Sequence, residues 1–262
     1  MRKILDIFMP NKTVSHKVML SIVVVEAMAV LLVWIFSPFA FLPTPVEVFN
    51  ALGDLWVNQG LAQDLGASLL LNLEALFWSS IISLGLAYLT TLPAVRPIVI
   101  AISKGRFLGL VGLTFVFTLM THSGHSLKVA LLVFGMTVFF VTSMASVVAS
   151  IPKDRFDYAR TLRMNEAHIV WEVVVRGTFH EAIESFRQNA AIGWMMLTMV
   201  EGISRAEGGL GAMLLNQNKH LNLPAVFAVQ ILIVFIGLVQ DYLIGVGKNL
   251  LCPYAALKLD RR

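Results

Sequence analysis

Few side chains in this sequence have the type and spacing that chemistry requires. His122 and His125 could reach one metal ion from a short turn, but that turn offers no Cys, Asp or Glu as a third ligand. We therefore interpret both as polar turn residues and expect no metal site. The chain also lacks a Gly-rich phosphate-binding loop followed by Lys and Ser or Thr. The sequence thus predicts neither an enzyme nor a bound cofactor.

Acidic groups inside apolar stretches are functional candidates, because inserting a charge into a membrane costs about 2.5 to 3.5 kcal/mol. Glu26, Glu74 and Glu201 qualify. We interpret Glu26 as a structural or subunit contact and Glu201 as a candidate for a solute pathway or gate. The alternative for Glu201, a solvated acid in an outer loop, stays open. Asn189 and Thr198 are further pathway candidates, although such groups often bond to helix carbonyls instead.

A charged interval at residues 151–189 separates two long apolar runs. Ile151-Pro152 ends one helix, and Asp154 suits the positive start of a new one. That helix would carry an apolar ridge with an Arg rim, which suits a groove in a partner protein. The predicted docking segment consists of Phe156, Asp157, Tyr158, Ala159, Arg160, Thr161, Leu162, Arg163 and Met164.

The elements that must position these residues are membrane helices. The chain is 57% hydrophobic and only 14% charged, against about 25% charged in soluble proteins, and its mean hydropathy is +0.78. Six segments approach the length that crosses a bilayer: about 18–36, 74–92, 98–120, 127–150, 188–204 and 225–247. The sequence therefore predicts an all-α polytopic membrane protein with six transmembrane helices. Cys252 is the only cysteine, so no disulfide can form within the chain.

The distribution of basic residues orients these helices. With the N-terminus inside, 17 of the 20 Lys and Arg residues fall on the cytoplasmic side, and only Lys128, Arg205 and Lys219 fall outside. Both termini are thus expected in the cytoplasm. The predicted organisation is a cytoplasmic N-terminal segment (1–17), a transmembrane domain (18–247) containing the loop 151–187, and a cytoplasmic tail (248–262).

Three further sequence elements are informative through the order in which they occur along the chain. L-P-T-P-V-E-V at residues 42–48 predicts an extended turn and then a short amphipathic helix over 46–56, with Thr44 as its cap. The charged loop follows, with D-Y-A-R-T-L-R-M at 157–164. E-G-I at 201–203 and E-G-G-L-G at 207–211 come last. Together they resemble the permease subunits of ABC importers, in the branch that handles nitrate, sulfonates, taurine and bicarbonate.

That resemblance implies a function and partners. The permease-like fold would work as a homodimer in a bacterial cytoplasmic (inner) membrane, with surrounding lipid, two ABC ATPase subunits and an external solute-binding protein. The loop would act as the coupling helix on the ATPase, which would use the ATP and Mg²⁺. We expect the chain to import a small anion and to have no nucleic acid as a partner. A secondary transporter or channel without an ATPase is the alternative.

The chain departs from the family pattern at three places in the loop. Asp157-Tyr158 stands for Glu-Ala, Arg163 for a Gly, and Arg176 for a Pro. A left-handed turn costs a residue other than Gly about 1 to 2 kcal/mol, so either the turn differs here or the partner's groove is adapted to it. We expect Ala159 to lie against the ATPase with no room for a larger group, and Leu162 to supply buried apolar area.

Overall fold

The computed structural model describes residues 15–36, 39, 41–204 and 207–253, and over these it contains helices and no strand. The all-α prediction is therefore confirmed. In chain order the elements are α1 (His16–Ile35), α2 (Pro45–Asn58), α3 (Leu61–Leu89), α4 (Arg96–Lys104) with a 3-10 turn (Gly105–Phe107), α5 (Leu110–Met120), α6 (Gly124–Ala149), α7 (Lys153–Thr161), α8 (Glu166–Ile169) continuing into a π-helical segment (Val170–Arg176), α9 (Phe179–Ile203), α10 (Leu210–Lys219) and α11 (Leu223–Leu251).

Within the described ranges, four helices are long and apolar enough to cross a membrane: α1, α3, α6 and α11. The segments Arg96–Phe107 and Leu110–Met120 meet at 114° and add a fifth crossing if they count as one. The predicted third segment, 98–120, is therefore sharply bent. The fifth predicted segment, 188–204, coincides with the second half of α9 up to Ile203. This helix is too polar to count among the helices that are apolar enough to cross a membrane. The chain thus has several helices that can cross a membrane, and six crossings stay a prediction.

The helix that contains the predicted second span, 74–92, begins earlier than the hydropathy of the sequence indicates. α3 begins at Leu61, directly after Gly60, which holds a left-handed backbone with φ of 71°. Its first half carries polar residues, among them the fully buried Ser68 and Asn72. Both side chains form hydrogen bonds to other helices. The polar residues that lowered the hydropathy of this half of the helix therefore contribute to helix packing.

The short helix before α3 was predicted correctly. α2 starts at Pro45, and Thr44 caps it: Thr44 Oγ1 accepts from the Glu47 amide at 3.3 Å, while the Thr44 amide donates to Glu47 Oε2 at 2.8 Å. Val48 and Leu55 form its buried face, and α2 packs against α11. The indole nitrogen of Trp34, near the end of α1, donates to Pro43 O at 2.9 Å and ties α1 to this segment.

Contacts between helix termini define two ends of the bundle. At the loop end, the residues directly after α3 and the last turns of α6 share a cavity with the first residues of α7. Lys248 of α11 pairs there with Glu184 of α9 at 2.6 Å. At the turn end, Asp64 and Ser68 of α3 bond to the amides of residues 209 and 210. α9 therefore runs opposite to α3 between the same two ends.

The described basic residues divide unequally between these ends. The turn end holds Lys128 and Lys219. The loop end holds Arg96, Lys153, Arg155, Arg160, Arg163, Arg176, Arg187 and Lys248. Lys104 and Arg106 belong to neither group and lie at the bend between α4 and α5. Arg205 and the basic residues within 1–14 and 254–262 lie outside the described residues, so their predicted sides stay predictions. This asymmetry is the one that topology rules associate with a cytoplasmic loop end.

Glycines allow the central helices to approach closely. A Cβ added to Gly193 of α9 would lie 2.7 Å from Asn72 Oδ1 on α3 and 2.9 Å from Met136 Cε on α6. A Cβ on Gly135 of α6 would lie 2.7 Å from the sulfur of Met196 on α9. Small residues at such crossings let helix backbones pack tightly where no water drives association. α3, α6 and α9 thus form the packed centre around which the site residues lie.

Candidate functional site

The loop predicted to dock on a partner folds into two short helices at the loop end. α7 follows Pro152, whose extended backbone ends α6, and Asp154 lies in its first turn. Asn165 caps α8 by accepting a 2.7 Å hydrogen bond from the His168 amide. The predicted start of a new helix near Asp154 is therefore confirmed.

Arg163 takes the left-handed conformation that the resemblance associates with a glycine. Its φ is 57°. The Arg163 amide donates to Arg160 O at 2.9 Å and the Met164 amide donates to Ala159 O at 3.4 Å, which together close α7 as a Schellman motif. Of the two possibilities left open by the sequence, a changed turn is thus wrong, because the left-handed turn is kept despite a cost of about 1 to 2 kcal/mol.

The structure places Ala159 differently from the expectation that it contacts a partner. Its side chain is 4% exposed within the single chain. It lies with Val173 and Gly177 along a groove of about 410 Å³ between α7 and the π-helical segment. Ala159 therefore packs against this chain, and its small size lets α7 lie close to the segment that follows.

The outward surface of the loop is carried by larger side chains. Tyr158 and Leu162 on α7 are 68% and 54% exposed, and Trp171 on the π-helical segment is 56% exposed. Phe156 and Met164 are half-buried. We call Tyr158, Leu162 and Trp171 the apolar loop face. Sequence reasoning missed Trp171, whose signal was an aromatic residue inside a charged loop.

Ion pairs fix the relative positions of α7 and α8. Arg160 contacts Asp157 Oδ1 on its own helix and Glu166 Oε1 on the next, both at 3.1 Å. The hydrogen bond with Glu166 raises the pKa of the Arg160 guanidinium above its usual value. Arg176 pairs with Glu172 at 2.8 Å in the π-helical segment. These arginines hold the loop together, so fewer of them form a rim for a partner than the sequence suggested.

Glu201 lies in a buried polar cluster at the turn end. Its side chain is 1% exposed. Ser68 Oγ donates to Glu201 Oε1 at 2.6 Å and the Gly211 amide donates to Oε2 at 2.8 Å. The interpretation of Glu201 as a solvated outer-loop acid is therefore wrong. Its carboxylate instead holds the start of α10 against α9 and α3.

The same cluster fixes the glycine turn at residues 207–211. Lys128, 3% exposed, donates from Nζ to Gly208 O at 2.9 Å, and Asp64 Oδ1 accepts from the Gly209 amide at 3.0 Å. Gly209 has a φ of 108°, and an added Cβ would collide with the Glu201 carboxylate. Glycine is thus required here for both backbone and space. Lys128 was read from the sequence only as an outer basic residue, although it follows a helix start in an apolar run.

Asn189 borders a separate cavity toward the loop end. It is 2% exposed, and neither its Oδ1 nor its Nδ2 has a hydrogen-bond partner among the described residues. The cavity of about 260 Å³ is also lined by Arg106 and by Ser143 and Ser185, whose hydroxyl oxygens lie 2.9 Å apart. A buried amide without partners is costly, about 1 to 3 kcal/mol, and such a position calls for an explanation, of which a ligand in the cavity is one.

Thr198 lies elsewhere. It lines a different cavity of about 400 Å³ with Trp194 and Asp241, and its hydroxyl donates to Met195 O at 2.9 Å. Glu201, Asn189 and Thr198 are therefore not brought together into one site. Of the three, Asn189 alone presents unpaired polar atoms to a cavity.

A buried amide network beside these cavities was not expected from sequence. Gln240 Oε1 accepts from Trp194 Nε1 at 2.6 Å and from Asn72 Nδ2 at 3.2 Å. Its members come from α3, α9 and α11. They lie far apart in sequence, so only their meeting in space identifies the network.

The histidine turn has a simpler explanation. His125 Nε2 lies 3.0 Å from Glu74 Oε2 on α3, and both side chains are partly exposed. Over the described residues no three His, Cys, Asp or Glu side chains group as metal ligands would. Glu74, one of the three acidic candidates, is thus the partner of His125.

Neither a family model nor a curated protein matches this chain. Its function must therefore be inferred from the two features that the structure brings forward. One is the folded loop with an exposed apolar face at the basic end. The other is the polar interior of the helix bundle, with Asn189 at a cavity and Glu201 at the fixed glycine turn.

Proposed function

We propose that this chain is the membrane-spanning permease subunit of an ATP-driven ABC importer, working as a homodimer in a bacterial cytoplasmic membrane. The observation that carries the proposal is the apolar loop face. Tyr158, Leu162 and Trp171 are large, exposed and held on two short helices that Arg160 ties together. Exposed apolar side chains on rigid elements are typical of a surface that a partner covers.

The partner best suited to this face is an ATPase subunit. The loop projects from the basic end, where the positive-inside rule places the cytoplasm and its ATP. Energy from that subunit would reach the bundle through α7 and the π-helical segment, which leads into α9 after Gly177. Asn189 lies on α9, so a movement of the loop would be passed to the cavity that Asn189 lines.

Six crossings follow in this proposal from the two bundle ends. α9 joins the loop end to the turn end and serves as one crossing despite its polar composition. The bent pair α4 and α5 serves as another, because the chain must return from the end of α3 to the start of α6. Polar groups on α9 are tolerated because other helices satisfy them.

A second copy is proposed for two reasons. α1 has none of its apolar window buried, and Glu26 in its middle is exposed with no bond or ion pair to a described residue. An acid facing lipid costs about 2.5 to 3.5 kcal/mol, which a contact with another subunit would reduce.

The proposed cargo, delivered by an external binding protein, is a small anion such as nitrate, bicarbonate, taurine or an alkanesulfonate.

The test is a charge placed on the apolar loop face. Leu162→Asp should abolish copurification of the ATPase subunit with the tagged chain and stop solute-stimulated ATP hydrolysis in vesicles. The matched control is Leu221→Asp, which makes the same exchange at an 80% exposed position of the turn end and should leave copurification unchanged. Copurification and stimulated ATP hydrolysis that both persist in Leu162→Asp would show that this face is not the ATPase contact. Solute uptake by the wild-type chain in vesicles without ATP or an ATPase subunit would favour a secondary transporter or channel.

A further inference from the structure

A cavity of about 510 Å³ opens at the loop end, apart from the cavity beside Asn189. Thr90 and Thr91 directly after α3, the helix α4, the last turns of α6 and the start of α7 line it. Because the loop end is the basic end of the bundle, the predicted topology places this cavity at the level of the headgroups of the cytoplasmic leaflet. Any ligand here would be drawn from the membrane surface.

The charged part of the lining is cationic. Arg96 and Lys153 both border the cavity, and the described lining residues include no acid. Asp154, next in sequence to Lys153, faces the separate groove beside Ala159. Arg96 Nε donates to Thr90 O at 2.9 Å, which orients the guanidinium, while its two terminal nitrogens bond to no residue that the structure describes. Two cations without a counter-charge favour a phosphate.

Four hydroxyls in the lining add acceptors to the cations. Thr90, Thr91, Ser103 and Thr142 each donate to a helix carbonyl, at 2.5, 2.9, 2.8 and 2.7 Å respectively. Their donors are thus used, and their oxygen lone pairs remain to accept. A headgroup that combines a phosphate with hydroxyl donors matches this set.

The remaining lining is apolar, with Val99 and Ile100 of α4 facing residues of α6 across the cavity. Ile100 is 57% exposed, so this wall opens toward the surroundings of the bundle. A free phosphate would leave the wall uncovered, whereas an acyl chain would cover it. Basic pockets of this kind between membrane helices bind lipid headgroups.

We propose that this cavity binds one anionic phospholipid of the cytoplasmic leaflet, with a glycerol-type headgroup held by Arg96 and Lys153. The proposal rests on insertion into a membrane and does not depend on ATP-driven import. Phe156 borders the same cavity. The bound lipid would therefore touch the first apolar residue of α7 and support the loop from the membrane side.

Native mass spectrometry of the purified full chain in detergent tests this. Phosphatidylglycerol and phosphatidylcholine with identical acyl chains are titrated in parallel, and glycerol phosphate is added as a competitor. Wild type should prefer phosphatidylglycerol. The variant Arg96→Gln/Lys153→Gln should weaken phosphatidylglycerol binding roughly 30-fold, as expected for two lost cations at a membrane surface, while phosphatidylcholine binding stays the same.

The matched control is Lys104→Gln/Arg155→Gln, which removes the same charge outside the cavity lining and should keep the preference. Should the double variant fold poorly, Lys153→Gln alone changes one exposed position and should weaken binding by an intermediate factor. Equal phosphatidylglycerol binding in wild type and cavity variants would overturn the proposal. So would full displacement of the lipid by glycerol phosphate, which would identify a site for a free anion.

Discussion

Ser68 Oγ donates a 2.6 Å hydrogen bond to Glu201 Oε1 across 133 positions of sequence. Ser68 Oγ also accepts from the Leu210 amide at 2.9 Å, so one hydroxyl joins α3, α9 and α10. Both ends of this relay are buried. The acid that sequence reasoning selected for a pathway is thus held in a structural contact at the glycine turn.

Ser68→Ala should destabilise the chain by about 2 kcal/mol, because it leaves the Leu210 amide and a carboxylate oxygen without a partner. Thermal unfolding in detergent measures this. Ser80→Ala is the control: Ser80 lies on the same helix, and its hydroxyl bonds only to the Leu76 carbonyl at 2.5 Å. If both variants unfold at the same temperature, the Ser68 relay contributes nothing to stability.

Arg163→Gly should stabilise the end of α7, because glycine adopts a φ of 57° without the steric penalty. A net gain of about 1 kcal/mol corresponds to about five-fold slower hydrogen exchange at the Met164 amide. Arg155→Gly makes the same exchange inside α7 and should speed exchange, since glycine disfavours helix. Faster exchange in Arg163→Gly would show that its side chain has contacts worth more than the strain.

Asn189→Leu should separate stability from transport. Replacing an unpaired buried amide with an apolar side chain of similar size should stabilise the chain by about 1 kcal/mol. Solute uptake in vesicles should nevertheless be lost if Asn189 contacts the solute in its cavity.

Thr137→Val supplies the control for this experiment. The Thr137 hydroxyl is also buried without a partner among the described residues, and it does not line the Asn189 cavity. This variant should gain stability and keep uptake. Normal uptake by Asn189→Leu would remove Asn189 from the pathway.

Cysteines introduced at exposed positions test the sidedness of the two ends. With a membrane-impermeant thiol reagent and intact cells, Asn218→Cys and Asn58→Cys should react and Glu166→Cys should not. Cys252 is 1% exposed, so its own lack of reaction reports burial and carries no topological information. Reaction at position 166 from outside would invert the topology.

The sequence determined the class of this protein and the elements with strong local signals. Long apolar runs predict membrane helices, because the thickness of the bilayer sets the length and hydropathy that a spanning helix needs. The Thr44 cap, the helix after Pro152 and the loop between α6 and α9 follow from side chains that bond within a few residues. Such local signals need no knowledge of the rest of the fold.

Only the tertiary structure decided what the polar residues do. The partners of Glu201, Lys128 and Asn72 come from distant parts of the chain, so spacing along one helix could not identify them. The same holds for Ala159, which packs against its own chain, and for Arg163, which keeps the turn of a glycine. Contacts between helices decide these roles, because a polar group inside a membrane domain takes its function from whatever faces it.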